Sequence, residues 1–285
     1  MRVWSKDFFY RFSNTVLFLS LIVGILELVY GSGYSDRMNL GLRRFTFVVG
    51  EPNFSSLLYL SNLSLAAIYR IKWKIPLYSL LILLAQSRMG LVGLAIAFFL
   101  ILIRNYSKLL VLIARASSIV FLTYPVFLFL LDKILTESQK IFIVSRISSR
   151  YYVHNGYFLM GLSNFFGVGY FNGKNKIMDV FSNSSFSKIL GGEEFEIIEQ
   201  HNFLLQMYSE FGAVGWIVVI YLFLRVDSEI NYRSEVALVW VPLVFSLTWV
   251  NALHEVAFYL VLAFVFSSNS KNYLCFFKPK CLKKF

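Results

Sequence analysis

Residues 80–103 read LLILLAQSRMGLVGLAIAFFLILI, two apolar runs that meet at Arg88 with only Gln86 and Ser87 for polar company. A guanidinium is costly to place beside hydrocarbon, so an arginine at the seam of two apolar segments reads as a residue kept for a purpose. A second seam puts His201 just before the apolar run that opens at Phe203. A chain that stops its apolar segments at an arginine and again at a histidine is building a polar site at a membrane surface.

Composition supports the membrane reading. The 285 residues are 58% hydrophobic and only 15% charged, with a mean hydropathy of +0.64; a soluble domain carries roughly 25% charge. Apolar stretches recur along nearly the whole length, which predicts one integral membrane domain over residues 1–285 and no separate soluble domain. Cys275 and Cys281 lie in a basic tail without the partners a metal site needs, so no metal or other cofactor is expected. The opening MRVWSKDFFYRF is too charged and aromatic for a cleavable signal peptide.

The pattern predicts an all-α polytopic membrane protein of about eight transmembrane helices, over residues 12–30, 54–69, 75–85, 91–103, 109–131, 203–224, 236–250 and 256–267. Basic residues gather in the short connecting segments, such as Arg70, Lys72 and Lys74 or Arg104 and Lys108, and in the tail over 268–285. With both termini cytoplasmic, these segments all fall inside, as the positive-inside bias requires. The outer face then carries a short loop, 31–52, and one large external loop, 132–202. The net charge of +11 is on this reading chiefly a topology signal, with attraction to anionic membrane lipid second. No motif supports nucleic-acid binding.

That topology gathers Arg37, Arg43, Arg44 and Glu51 on the first outer loop, Arg88 at an outer turn, Arg146 and Arg150 on the long loop, and His201 at its end. Planar guanidinium forks suit phosphate or diphosphate, since two parallel charge-assisted bonds reach adjacent oxygens. They also stabilise charge that grows on a departing phosphate. His201, with an ordinary pKa near 6.5, can take or share the proton of an incoming hydroxyl. A blander reading stands beside each: loop arginines are mostly solvated, and a histidine ahead of a membrane helix is commonly an interfacial residue. Glu210, nine residues on, lies about 13.5 Å up a helix and serves a different place from His201. Glu27 and Arg115 are the main ionisable residues that depart from this outward clustering.

Three segments resemble the O-antigen polymerase and O-antigen ligase superfamily. They are LRRFTFVVGEPNFSSLLYLS over 42–61, LLILLAQSRMGLVGLAIAF over 80–98, and the stretch from GVGYFNG at 167–173 through EQHNFLLQMYSEFGAVGWIVV at 199–219. Their order and spacing carry the resemblance more than any one does. It implies a bacterial cytoplasmic (inner) membrane enzyme that handles undecaprenyl-diphosphate-linked glycans by metal-independent transfer on the outer face. It further implies that Arg43, Arg44, Arg88, Arg146 and Arg150 hold the diphosphate, that His201 acts on the acceptor hydroxyl, and that Glu51, Asn53, Asn202 and Glu210 support them. Gly212 and Gly215 would permit close helix packing, and attack opposite the leaving diphosphate would invert the anomeric centre.

The Glu-Pro-Asn form at 51–53 tilts this reading toward a polymerase of O-antigen, capsule or exopolysaccharide repeat units. A flippase and a chain-length regulator would be its partners. The alternatives are a ligase that moves the glycan to another acceptor, a polysaccharide or lipid transporter, and an inactive member. The last arises because only one predicted span precedes the first arginine loop, where the family has several, which predicts an N-terminally shortened chain, a wrongly assigned start or a compact variant.

Overall fold

The structure, a computed structural model, describes residues 6–30, 45–47, 51–142, 149–169, 172–173, 176–177, 202–248 and 256–267. Among the described residues the fold is all α, without a strand. The helices are α1 (Lys6–Tyr30), α2 (Pro52–Ile68), α3 (Lys74–Ala85), α4 (Arg88–Leu102), α5 (Ser107–Ile134), the short α6 (Glu137–Phe142), α7 (Ser149–Ser163), α8 (Phe203–Tyr232), α9 (Ala237–Leu247) and α10 (Val256–Ser267), with a 3-10 turn at Ser234–Val236 before α9. The basic tail and the polar run 181–200 lie outside the described residues.

The expectation of about eight transmembrane helices is corrected. Among the described residues three helices are long and apolar enough to cross a membrane: α1, α5 over Ser107–Leu131, and α8. The reason is length. At 1.5 Å per residue, the 12 residues of α3 and the 15 of α4 extend about 18 and 22 Å, short of about 30 Å of hydrocarbon. Hydropathy along 80–103 runs almost unbroken, but Gln86 turns left-handed (φ 47°) and ends α3, while the Ser87 hydroxyl accepts the Gly90 N–H at 3.2 Å and starts α4. A few polar atoms thus split what a sliding window merges. Within α2, four serines and Asn62 are buried. The outer loop of the sequence reading also holds helix, since α6 and α7 fall inside 132–202.

The chain divides into two compact units. The first comprises Met1–Arg115, Val226–Ser246 and His254–Phe285; the second, Ala116–Arg225 and Leu247–Leu253. In the first, α1 buries Phe9, Ser13, Val16, Leu17, Ser20, Gly24 and Glu27, spaced by threes and fours as one helical face. Its outer face carries Phe18, Leu21, Ile25 and Leu28, all exposed. The buried face mixes serines, Gly24 and Glu27 with Phe9, Val16 and Leu17, while the outer face is large and apolar, which suits a helix facing lipid.

Buried hydroxyls join these helices. The Tyr78 hydroxyl lies 2.6 Å from that of Ser13 and donates to the Ser13 carbonyl at 2.8 Å. Tyr59 donates to Ser20 at 2.8 Å, and Ser20 passes its proton to the Val16 carbonyl at 2.7 Å. Lys74, wholly buried, fastens α3 to α1 by donating to the Tyr10 carbonyl at 3.1 Å with its ammonium 4.4 Å from the centre of the Tyr10 ring. Helix α4 lies close on α2 because Gly90 and Gly93 face Ser56 and Leu60. The second unit has its own apolar core, in which Leu128 of α5, Val153, Tyr157 and Met160 of α7 and Leu205 of α8 pack together.

A methyl at Gly90 would lie 2.7 Å from Ser56 Cβ, closer than packing allows. In an exposed helix interior, glycine to alanine gains about 1 kcal/mol; here overpacking costs about 1–3 kcal/mol and reverses the sign. Gly90→Ala should therefore lower the thermal unfolding temperature of the detergent-solubilised protein, while Val92→Ala at an exposed position of the same helix leaves it nearly unchanged.

Candidate functional site

In the first unit, the residues that follow Arg43 and Arg44 are fastened on three sides. The Glu27 carboxylate of α1 accepts the N–H of Thr46 at 3.0 and 3.1 Å, the N–H of Phe47 at 3.2 Å and the Thr46 hydroxyl. The Phe45 N–H donates to the Leu84 carbonyl of α3 at 3.3 Å, and the Ser55 hydroxyl of α2 donates to the Thr46 carbonyl. Phe47 takes a left-handed φ of 53°, and its ring packs on Phe45 and Tyr59. Glu27 is thus an anchor for backbone amides, which a carboxylate does well in a poorly solvated place. Arg43 and Arg44 themselves lie outside the described residues.

A hydrogen-bond relay continues from Glu51, which caps α2. One carboxylate oxygen accepts the Phe54 N–H at 3.1 Å, and the other accepts the Asn53 side-chain amide at 2.8 Å. The Asn53 carbonyl oxygen takes the Ser87 hydroxyl proton at 2.6 Å, and the Ser87 oxygen caps α4 at Gly90. Four residues thereby hold the N-termini of α2 and α4 together. Ser87 is fully buried, whereas Arg88, the first residue of α4, is exposed and has no hydrogen-bond or ion-pair partner among the described residues. The Glu51 carboxylate offsets the partial positive charge of the two helix N-termini, so it is the unpaired Arg88 guanidinium that makes this edge open to an anion.

In the second unit, Asn202 does for α8 what Ser87 does for α4. Its side-chain oxygen accepts the Leu205 N–H at 3.0 Å, and the residue is fully buried. His201, directly before it, lies outside the described residues, as does Arg146. Arg150 falls in the first turn of α7. Glu210 is buried on α8, with the Gln206 amide 3.5 Å from its carboxylate.

The two glycine motifs meet here. Gly212 breaks the helical path of α8 with φ 62° and ψ −146°, which leaves the Ser209 and Glu210 carbonyls without their helical partners. The N–H groups of Val168 and Gly169 take them at 2.9 and 3.0 Å, and the Ala213 N–H donates to the Phe165 carbonyl at 2.9 Å. Gly167 and Gly212 press so near the opposing backbone that a Cβ on either would collide with it. The expected packing role of Gly212 is therefore a kink, and the GVG loop is its complement.

Sequence reasoning missed two features. Ser87 was noted only as polar company for Arg88, yet it is the bridge between α2 and α4. His154, at 5% exposure, has its Nδ1 2.7 Å from the Tyr124 hydroxyl; its place amid Tyr151, Tyr157 and Phe158 was the available signal. Among the described residues, no group of three or more His, Cys, Asp or Glu side chains gathers at a metal-binding distance.

A family model described as O-Antigen ligase matches residues 76–220, just over half of the chain. The match takes in the Ser87–Arg88 turn, the GVG loop and the kink at Gly212. No curated protein and no solved structure matches the chain.

Gly212→Ala should destabilise the protein more than Ser87→Ala. The first meets both a backbone conformation that L-residues avoid and the Phe165 carbonyl; the second forfeits a cap, about 1 kcal/mol, and the hydroxyl that donates to Asn53. Thermal unfolding in detergent would rank them, and Ser87→Thr, which restores both the capping oxygen and the donor, should recover part of the loss.

Proposed function

The chain belongs to the O-antigen ligase family, and we propose that it transfers a glycan from an undecaprenyl-diphosphate carrier to the hydroxyl of a separate acceptor. Family membership makes it a membrane-associated enzyme acting on glycan and lipid substrates. The observation that carries the finer reading is the match over residues 76–220, which spans both the Arg88 turn and the His201 segment.

Ligase is preferred to polymerase because the matching family model is described as O-Antigen ligase. The polymerase reading leaned on the Glu-Pro-Asn form of 51–53. Glu51 and Asn53 are accounted for by capping α2 and bridging to Ser87, with Pro52 at the first helical position, where proline suits a helix start. That form therefore carries no information about the acceptor.

On this reading, Arg88 grips the diphosphate together with Arg43, Arg44, Arg146 and Arg150. His201 accepts the proton of the acceptor hydroxyl as its oxygen bonds to the anomeric carbon. The bond from that carbon to the diphosphate oxygen breaks, and the electron pair leaves with the diphosphate, whose added charge the guanidinium groups stabilise. Attack opposite the leaving group inverts the centre. The reaction is assigned to the outer face of the bacterial inner membrane, where a flippase would deliver the carrier.

The test is transfer by the purified full chain in nanodiscs, supplied with an undecaprenyl-diphosphate-linked glycan and a glycolipid acceptor. His201→Ala should lower kcat at least about 100-fold, the low end for losing a general base, with the protein recovered from membranes in normal amount. Arg88→Ala should impair both binding and turnover, and Arg88→Lys should recover only part, because an ammonium lacks the fork. Unchanged turnover by His201→Ala rejects its assignment. A ladder of lengthening products on the carrier, in place of one transfer to the acceptor, rejects the ligase reading.

A further inference from the structure

A cavity of about 710 Å³ lies between the opening turns of α5 and the end of α8, all within the first unit. It has no part in the transfer just described. Ser107 opens α5 shortly after α4 ends at Leu102, so this wall begins a full length of α4, about 22 Å at 1.5 Å per residue, from Arg88.

Its α5 wall carries Lys108, Val111, Leu112 and Arg115, and the opposite wall includes Asn231 and Ser234. Lys108 and Arg115 are two turns apart and so share a helix face, with the two aliphatic residues between them. The Arg115 guanidinium gives Nε and Nη2 to the Asp227 carboxylate at 2.8 and 3.2 Å, and Nη2 also reaches Asn231 at 2.9 Å. Its Nη1 edge has no partner among the described residues, and neither has the Lys108 ammonium. Asp227 offsets one of the two cations. Of the neighbouring carboxylates, Glu235 lies 3.7 Å from Arg233, and Glu229 is buried and is no part of the lining. The cavity therefore keeps a positive charge, with Arg115 held in place by its ion pair and Lys108 on a flexible stem.

We infer that this cavity binds the phosphodiester headgroup of an anionic glycerophospholipid, Lys108 and the free edge of Arg115 taking the phosphate while Val111 and Leu112 receive the start of an acyl chain. The volume exceeds what a bare phosphate fills and suits a headgroup. Basic pockets between membrane helices are places where anionic headgroups settle. Leu112 is 62% exposed, so the aliphatic part of the wall continues onto the surface that α5, a membrane-crossing candidate, offers to lipid. A choline headgroup would bring its cation against Lys108, which favours phosphatidylglycerol over phosphatidylcholine.

The test is native mass spectrometry of the full chain in detergent, titrated with phosphatidylglycerol or phosphatidylcholine. The intact protein should retain phosphatidylglycerol about tenfold better, and Lys108→Gln should bring the two lipids near parity. Lys72→Gln, an exposed cation outside the cavity, should keep the preference. Equal retention of both lipids by the intact protein, an unchanged preference in Lys108→Gln, or the same loss in Lys72→Gln would each overturn the site. Displacement of phosphatidylglycerol by an equal concentration of inorganic phosphate would overturn the lipid assignment in favour of a soluble anion. Glycan transfer by Lys108→Gln should match that of the unaltered protein, so this site and the transfer chemistry stand or fall separately.

Discussion

The relay from Glu51 through Asn53 and Ser87 to the Gly90 N–H is the constraint on which the end of the first unit that carries Arg88 depends. Each helix N-terminus leaves four amide groups without helical partners, and here two such ends use one connected set of side chains. Breaking any link exposes a buried donor or acceptor, which costs more than the link contributes when made. The backbone position of Arg88 is thus set by the neighbours that cap the two helices. A kink fixed by loop amides plays the same part in the second unit, where the carbonyls released at Gly212 are taken by Val168 and Gly169.

Both devices follow from one property of the environment. In hydrocarbon, apolar burial drives helices together weakly, so close packing and internal hydrogen bonds must hold them. That explains why α1 turns its serines and Glu27 inward and most of its leucines outward, why tyrosine hydroxyls of α2 and α3 reach across to α1, and why glycines of α4 face α2. A polar group that would destabilise a soluble core is here the means of joining helices, provided that its partners are met.

This also separates what could be read in the sequence from what could not. Arg88 was legible because its neighbours on both sides are apolar, so a single position stands out against a uniform background. The span count was not, because hydropathy averages over a window and is blind to a left-handed Gln86 or a capping Ser87. The glycine-rich run at 167–173 and the Glu210–Gly215 run were each visible as motifs. Their partnership was not, since forty residues separate them and the joint is made by backbone atoms. Glu27 looked like an ionisable residue stranded in a span for the same reason: its partners are amides nineteen and twenty residues further on.

Arg88 and Arg115 show how one side chain can be prepared for two kinds of anion. A site that stabilises charge as it develops works best when its donors are already aimed and need not be released from a competing acceptor. Arg88 meets the second part of that condition, for no acceptor among the described residues competes for it and the relay's carboxylate oxygens are engaged by Phe54 and Asn53. Arg115 is arranged otherwise. Its fork is committed to Asp227 and Asn231, and only one edge is left to an incoming oxygen. Such a guanidinium suits lasting attachment of an anion that brings its own apolar anchor, and it suits poorly a diphosphate that must arrive, take up charge and depart. The difference lies in what surrounds the two arginines, and it is the ground on which turnover is proposed for the first and retention for the second.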